Sequence, residues 1–387
     1  MRILMVAARY LPFMGGIEAH VHEVARRMAA RGHEVTILTT DPAGQLATFE
    51  REGSIQTVRV RAWPKSRDYY FAPGIVRQIL NGGWDVVHVQ GYHTLVPPMA
   101  MWAAIRRRVP FVLTFHSGGH SSRLRKSLRG VQYRVLAPFV RRAAQLIGVS
   151  EFEADFFSRA MGEPRERFAV VPNGSELIAI PGEPFKASDQ PLIVSIGRLE
   201  RYKGHHRVIE ALPDVLAQIP AARLRVLGEG AYKHELLALV QRLGLGHRVE
   251  IGGIPIGQRA EMSKILSQAA LIVLLSDYEA HPVSVMEAVA LRRPVLVTDC
   301  SGLGEIAKQG YANAIPLGAT KEETAKAIVD EIRCPRAASG VVLPNWDDCT
   351  DRLLEIYDRS VAKARGVRPE SMAAQHLRHG HSAEMPS

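Results

Sequence analysis

Two glutamates lie eight residues apart in the stretch "SDYEAHPVSVMEAVALRRPVLVTDCSG", residues 276–302. Glu279 follows an apolar run, and Glu287 lies within a pattern typical of a helix. Carboxylates at this spacing could form an acid/base pair, bind a metal, accept hydrogen bonds from hydroxyl groups or lie on the solvated surface. The spacing alone leaves these four alternatives open.

Cations follow a different apolar run, in "SIGRLERYKG", where Arg198 and Lys203 come just after a predicted strand. Two such groups could neutralise and hydrogen-bond a diphosphate. The bare backbone of Gly15 and Gly16 could also approach a phosphate at the start of the first predicted helix, although a tight turn explains these glycines equally well. Their spacing is not G-x-G-x-x-G, which disfavours a dinucleotide.

A histidine ends the predicted strand "PFVLTFH". An imidazole at the position of His116 can hydrogen-bond a sugar hydroxyl or a phosphate near a reacting bond. His88 lies inside the strand "WDVVHVQ", and we interpret it as a structural histidine.

The formal net charge of +10 has a local source, because no acidic residue occurs between Asp85 and Glu151. This basic segment indicates an anionic partner: a lipid surface, a phosphorylated acceptor or nucleic acid. Residues 121–142 also have apolar residues at helical spacing, which predicts an amphipathic basic helix. Its apolar stripe, Leu124, Leu128, Val131, Val135 and Phe139, either packs into the domain or faces an anionic membrane. The four cations of the proposed contact patch are Arg123, Arg125, Lys126 and Arg129.

The chain of 387 residues is long enough for two domains with sizeable cores. Its three cysteines form no CxxC pair, which is typical of a reducing compartment. The apolar run at the N-terminus is too short for a signal peptide or a membrane span. We therefore expect a cytoplasmic protein, with contact at the inner face of the membrane if the basic helix binds lipid.

Continuous apolar strands alternate with helical patterns in two successive series, which predicts an α/β fold with parallel sheets covered on both faces. We expect two Rossmann-like, doubly wound domains that face each other across a cleft, at residues 1–180 and 190–345. A Pro-containing linker lies around 179–191. A terminal helix is predicted over 346–365, followed by a disordered tail over 366–387.

Taken together, the motifs resemble the family 4 retaining glycosyltransferases, which have the GT-B fold. The resemblance covers nearly all of the first 305 residues. It is carried by "GGIEAHVHEVARRMAARGHEVTILT", "DVVHVQGYH", "TFHSGG", "VVPNGS", "GRLERYKG", "LGEG" and "YEAHPVSVMEAVALRRPVLVTDCSG". It implies that the first domain binds the acceptor and the second the nucleotide sugar.

The resemblance also implies roles for the glutamates and the cations. Glu279 would contact sugar hydroxyls, Glu287 the ribose hydroxyls, and Arg198 with Lys203 the diphosphate. We place Glu279 and His116 closest to the reacting bond and assign no catalytic base. The further donor contacts, besides Gly15 and Gly16, are Ala280, His281, Pro282, Val283 and Ser284.

The chain departs from the family pattern after the first glutamate. The family often has E-G-F-G, whereas this chain has "EAHPV", so Pro282 offers no N–H and His281 replaces an aromatic residue. The later "SGLGE" keeps Gly302 and Glu305. The donor sugar therefore does not follow from the resemblance.

The expected reaction is transfer of a hexose from a UDP- or GDP-linked sugar to a hydroxyl acceptor, with retention and an α-linked product. The acceptor would be a glycolipid, a lipid-linked saccharide or a polysaccharide precursor. No D-x-D occurs, so we expect no essential metal and no cofactor beside the nucleotide sugar. The alternatives are a GT-B-fold UDP-N-acetylglucosamine epimerase and, from another class, a nucleic-acid-binding protein that uses the basic segment.

Overall fold

The protein consists of two α/β domains and a terminal helix that returns to the first domain. The computed structural model describes residues 1–13, 15–65, 70–117, 123–175, 189–254, 259–337 and 343–366. The predicted tail beyond 366 and residues 179–188 of the predicted linker lie outside these ranges.

The first sheet has eight strands in the order β3-β4-β2-β1-β5-β6-β7-β8. They pair in parallel, except that β3 runs antiparallel to β4. The strands are β1 (Arg2–Ala7), β2 (Glu34–Asp41), β3 (Phe49–Glu52), β4 (Ile55–Arg61), β5 (Val86–Gln90), β6 (Phe111–Thr114), β7 (Gln145–Gly148) and β8 (Phe168–Val170).

Helices cover both faces of this sheet, which is why its central strands are apolar on both sides. Local signals set several ends: prolines lie in the first turn of the second and third helices, and the Ser150 side chain caps the fifth. The helices are α1 (Gly16–Ala30), α2 (Pro73–Asn81), α3 (Val96–Arg107), α4 (Arg123–Val140) and α5 (Glu151–Met161).

The second sheet has six parallel strands in the order β11-β10-β9-β12-β13-β14. They are β9 (Leu192–Ile196), β10 (Arg223–Leu227), β11 (Val249–Gly252), β12 (Leu271–Leu274), β13 (Val295–Asp299) and β14 (Asn313–Pro316). Their helices are α6 (His205–Gln218), α7 (Lys233–Arg242), α8 (Arg259–Gln268), α9 (Val283–Ala290), α10 (Ser301–Lys308) and α11 (Lys321–Arg333).

These two parallel sheets confirm the predicted fold class. In each, the strand order reverses at the centre, beside β1 in the first domain and β9 in the second. The carboxyl ends of strands at such a switch point form the crevice in which open α/β sheets bind ligands. The residues that follow β1, β9 and β12 are therefore the ones that the fold places at a site.

The last helix, α12 (Trp346–Ala364), agrees with the predicted helix to one residue. The Asn345 side chain caps it by accepting a hydrogen bond from the backbone of Asp348 at 2.7 Å. Its apolar side, including Trp346, Leu353 and Tyr357, joins the core of the first domain beside α1. This docking was not evident from the sequence.

Helix α4 buries only part of its predicted apolar stripe. Leu136 and Val140 form its buried face, whereas Val131 and Val135 of the stripe are 57% and 61% exposed. Of the two alternatives, packing of the whole stripe into the domain does not hold for these two valines. The patch arginines Arg123 and Arg125, together with Lys126, have side chains outside the described ranges. Of the helices in those ranges, none combines the length and the apolar character needed to cross a membrane.

Candidate active site

An ion pair between Lys203 and Glu279 lies at the switch point of the second sheet. Lys203 ends a short 3-10 turn after β9, and Glu279 lies in the loop after the adjacent strand β12. The lysine Nζ donates to Glu279 Oε1, which also accepts from Ser276 Oγ at 2.9 Å. Their side chains are only 15% and 10% exposed, so the two charges are largely removed from water.

The electrostatics of Lys203 follow from this pairing. Burial disfavours its ammonium charge, but the neighbouring Glu279 carboxylate outweighs burial and raises the pKa of Lys203. The lysine is therefore positive at neutral pH. A bound diphosphate would meet a cation whose position is already fixed by Glu279.

Arg198 follows β9 as predicted and lies at the cleft edge with its side chain 54% exposed. Its guanidinium donates to the Tyr202 hydroxyl at 2.9 Å and pairs with Glu200 at 2.9 Å. Across the cleft, Arg9 follows β1 and pairs with Glu18 at 3.6 Å. Burial disfavours the charge of Arg9, but Tyr70 and Glu18 raise its pKa overall, against a smaller lowering by Arg198 of the second domain. Positive charge from both domains thus meets in the cleft.

Sequence reasoning missed Arg9. Arg9 follows β1 as Arg198 follows β9. A single arginine after a strand is too common in proteins to indicate a binding site.

The loop after Glu279 is fixed against the start of α10. The Glu279 N–H donates to Ser301 Oγ, and the Gly302 N–H donates to the Glu279 carbonyl, both at 2.9 Å. A Cβ on Gly302 would lie 1.8 Å from the Ala280 carbonyl oxygen, so a larger residue cannot occupy this position without a shift of the backbone. The "SGLGE" motif therefore sets the position of the loop that carries Glu279.

Helix α9 begins directly after this loop. Pro282 precedes it, and Val283 and Ser284 are its first residues, whose N–H groups have no partner within the helix. These groups and the positive end of the helix dipole suit an anion. Glu287 is half-buried on the same helix, in its second turn. The residues predicted to contact the donor, from Glu279 to Glu287, thus lie on one continuous loop and helix.

His116 follows β6 at the carboxyl edge of the first sheet and is 8% exposed. Its Nε2 lies 2.7 Å from Gln90 Oε1, an acceptor, so Nε2 carries a proton. Burial lowers the pKa of His116 well below its usual value, with further lowering by His20 and His88. The ring is therefore neutral near pH 7, which leaves Nδ1 as a hydrogen-bond acceptor.

Gln90 connects His116 to a structural network. Its Nε2 lies 3.1 Å from His88 Nδ1, and His88 also contacts the Tyr357 hydroxyl at 2.5 Å and Thr114 Oγ1 at 2.7 Å. Tyr357 comes from α12, so this hydrogen bond is one of the contacts between the terminal helix and the first domain. His88 has the structural role expected of a histidine inside a strand.

Asn173 links the two domains at the cleft. Its Oδ1 lies 3.0 Å from His20 Nδ1 on α1, and its Nδ2 donates to the His281 carbonyl at 3.2 Å. His281 belongs to the loop that carries Glu279, so this asparagine connects that loop to the first domain. The side chain was not singled out in the sequence, where "VVPNGS" contributed only to the family resemblance.

Two further contacts cross between the domains. The Glu305 carboxylate accepts from the Phe152 N–H at 2.8 Å, at the N-terminus of α5, and the Ser117 hydroxyl lies 2.7 Å from the Tyr278 hydroxyl. Glu305 thus bonds to the opposite domain in this structure. Both contacts join the first domain to the second at one side of the cleft.

The two glycines at the start of α1, Gly15 and Gly16, differ in their surroundings. A Cβ on Gly15 would lie 2.5 Å from the Glu18 carboxylate, whereas nothing lies within 4 Å of a Cβ on Gly16. A phosphate could therefore approach the start of α1 at Gly16, which is open. At Gly15 the Glu18 carboxylate occupies the space. The remaining patch residue, Arg129, lies half-buried on α4.

Buried neutral histidines predict acid sensitivity. Burial lowers the pKa of His20 and of His205 to about 4, against 6.5 in the unfolded chain. Above pH 6.5 both states are neutral; below it only the unfolded chain gains protons, so stability falls between pH 6.5 and about 4. Each such group contributes up to about 1.4 kcal/mol per pH unit.

We expect the thermal midpoint to fall from pH 7 to pH 5. The slope should be smaller in His20→Gln than in the wild type. A midpoint independent of pH over this range would contradict the assignment of these buried histidines as neutral.

Two family models match consecutive parts of the chain: "Glycosyltransferase Family 4" over residues 14–177 and "Glycosyl transferases group 1" over residues 179–336. Among curated proteins, the chain is 28% identical over 340 residues to glycogen synthase from Mycobacterium tuberculosis, covering 80% of this chain and 81% of that protein. It is 26% identical over 299 residues to GDP-mannose:cellobiosyl-diphosphopolyprenol alpha-mannosyltransferase from Xanthomonas campestris, covering 75% and 76%.

The fold is also similar to that of solved structures. Anabaena HepE in complex with UDP-glucose superposes with a TM-score of 0.69 at 19% identity, covering 95% of this chain and 100% of that one.

Proposed function

Since this chain belongs to glycosyltransferase family 4 and is a hexosyltransferase with the GT-B fold, we propose that it transfers a hexose from a nucleotide diphosphate sugar to a hydroxyl acceptor. The proposal includes retention at the anomeric carbon and an α-linked product. The observation that carries it is the group of cations at the switch point: Lys203 held by Glu279, with Arg198 beside it and Arg9 opposite.

The donor is proposed to be a UDP- or GDP-linked hexose. The names of the Xanthomonas relative and of the HepE complex contain GDP-mannose and UDP-glucose, which supports both bases. The ribose hydroxyls would donate to Glu287, and the diphosphate would lie between Lys203 and the start of α9. Carboxylates accept hydrogen bonds only, so they suit vicinal hydroxyls.

The leaving group is the nucleoside diphosphate. As the bond from the anomeric carbon to the phosphate oxygen breaks, negative charge develops on the phosphate, and Lys203 and Arg198 stabilise it. The acceptor hydroxyl attacks from the same face and gives its proton to the departing phosphate. Neutral His116 would accept a hydrogen bond from a sugar hydroxyl through Nδ1 and so orient the hexose.

The residues above provide positive charge at the diphosphate without a bridging metal. We therefore propose that transfer needs no divalent cation, and that the rate is the same with and without EDTA. A rate that EDTA abolishes and Mg²⁺ or Mn²⁺ restores would overturn this part of the proposal.

A panel of nucleotide sugars tests the proposed function. We expect one UDP- or GDP-hexose to raise the thermal midpoint, since a ligand at 100 times its Kd adds about 2.7 kcal/mol of apparent stability. Incubation of that sugar with the enzyme alone should give slow release of the nucleoside diphosphate. Conversion into an epimer of the donor would instead identify an epimerase, and stabilisation by no nucleotide sugar would contradict the proposal.

The acceptor is proposed to be lipid-linked, with the enzyme in peripheral contact with an anionic membrane at the cytoplasmic face. Val131 and Val135 are exposed on α4 beside Arg134, in the segment without acidic residues. Apolar side chains among cations are typical of surfaces that bind anionic bilayers. The name of the Xanthomonas relative contains a polyprenol diphosphate, which supports a lipid acceptor.

Liposome co-sedimentation tests this contact. We expect binding to anionic vesicles at low salt, with a several-fold loss in Val131→Ser/Val135→Ser, because about 0.8 kcal/mol is lost per unburied CH₂. Leu237→Ser, at an exposed leucine on α7 of the other domain, should bind like the wild type. Failure of the wild type to bind anionic vesicles at low salt would contradict the proposed membrane contact and favour a soluble acceptor.

A further inference from the structure

A second pocket lies at the edge of the second sheet opposite the proposed donor site. It has a volume of about 750 Å³ and is lined by residues at or near the amino ends of its strands. Arg223 begins β10, Arg248 precedes β11, and Arg293 comes two residues before β13. Strands of five residues separate the two edges by about 17 Å. The pocket is therefore distinct from the cleft.

Positive charge dominates this pocket. Its lining contains four arginines and one carboxylate, Glu250, which pairs with Arg225 at 3.1 Å. Within the described ranges, Arg223 and Arg248 form no salt bridge. Because parallel strands begin at the same edge, Arg223 and Arg225 of β10 and Arg248 before the neighbouring strand β11 line one space.

One of these cations is buried. Arg293 is 8% exposed, and its Nε donates to the Leu291 carbonyl at 3.1 Å, which fixes the direction of the side chain. The fork of N–H donors on arginine matches the oxygens of a phosphate better than a lysine would.

We propose that this pocket binds a phosphorylated small molecule. Its volume lies in the range of pockets that bind metabolite-sized ligands and is larger than a single ion would fill. Half-buried Leu192 and Val249 add apolar surface for an organic group, and Ser267 and Gln268 add neutral hydrogen-bonding groups. The arginines bind the phosphate oxygens. This site is independent of the proposed transfer reaction.

Calorimetric titration tests the proposal with three probes: inorganic phosphate, pyrophosphate and glucose 6-phosphate. The double variant Arg223→Ser/Arg248→Ser removes two cations of the pocket. Lys203→Ala reports on binding in the cleft, and Arg333→Ser, at an exposed arginine at the end of α11, is the matched control.

At least one probe should bind the wild type, Lys203→Ala and Arg333→Ser alike, and should bind the double variant at least tenfold more weakly. Equal affinity of every probe for the wild type and the double variant would overturn the proposal, and so would binding that only Lys203→Ala weakens. A Kd above 1 mM for all probes would also overturn it. If the double variant fails to fold, the single change at exposed Arg223 gives the same comparison.

Discussion

Replacement of Lys203 by Ala should lower both the rate of transfer and the stability of the protein. The lost charge-assisted contact to the diphosphate costs about 1.5 to 3 kcal/mol, which corresponds to a loss of roughly tenfold to over a hundredfold in kcat/KM. The variant also leaves Glu279 buried and without its ammonium partner. Breaking a buried ion pair in this way costs about 3 to 5 kcal/mol, so the thermal midpoint should fall clearly.

The double variant Lys203→Met/Glu279→Gln separates the two effects. It removes both charges of the pair, so stability should return toward that of the wild type, while transfer should remain impaired. Recovery of transfer in the double variant would show that the pair is only structural. A Lys203→Ala variant as stable as the wild type would show that the two side chains do not pair.

Gly302→Ala should impair transfer by about a hundredfold, although Gly302 contributes no side chain to the site. Its new Cβ would lie 1.8 Å from the Ala280 carbonyl oxygen and 2.9 Å from that of Glu279, so the loop must move. A misplacement of about 1 Å at a reacting centre can cost about a hundredfold in rate. Kinetics with the donor identified by the nucleotide-sugar panel would measure the loss.

Gly304→Ala is the matched control on the same helix. Its Cβ would come too close to the Asp299 side chain, at 2.6 Å from Oδ1, but that exposed side chain can rotate away, and the nearest backbone atom is at 3.7 Å, an ordinary contact distance. We expect near wild-type transfer from Gly304→Ala. Equal activity of both variants would contradict the role of Gly302 in fixing the loop.

The architecture of both sheets could be predicted because strands buried on both faces are continuous apolar runs, and helices alternate with them. The same periodicity did not show which face of α4 is buried. Val131 and Val135 share one side of that helix, and Leu136 and Val140 another, and both spacings fit a helix. Only packing against the rest of the first domain selects between them.

The site was predicted in part. Arg198, Lys203 and Glu279 belong to motifs with several distinctive residues, and the structure places them at one switch point. Arg9 and Asn173 take part through contacts with residues far away in the sequence, which no local pattern encodes. The docking of α12, which brings Tyr357 to His88, is of the same kind.

Calorimetric titration of UDP and GDP in the presence of EDTA tests most directly whether the Lys203–Glu279 centre binds the diphosphate of the donor. We predict that one of the two nucleotides binds the wild type with a stoichiometry of one, and that Lys203→Ala weakens it at least tenfold. Arg201→Ala, which removes an exposed cation of the same 3-10 turn, should leave the affinity unchanged. Failure of both nucleotides to bind, or equal affinity in Lys203→Ala, would contradict the account.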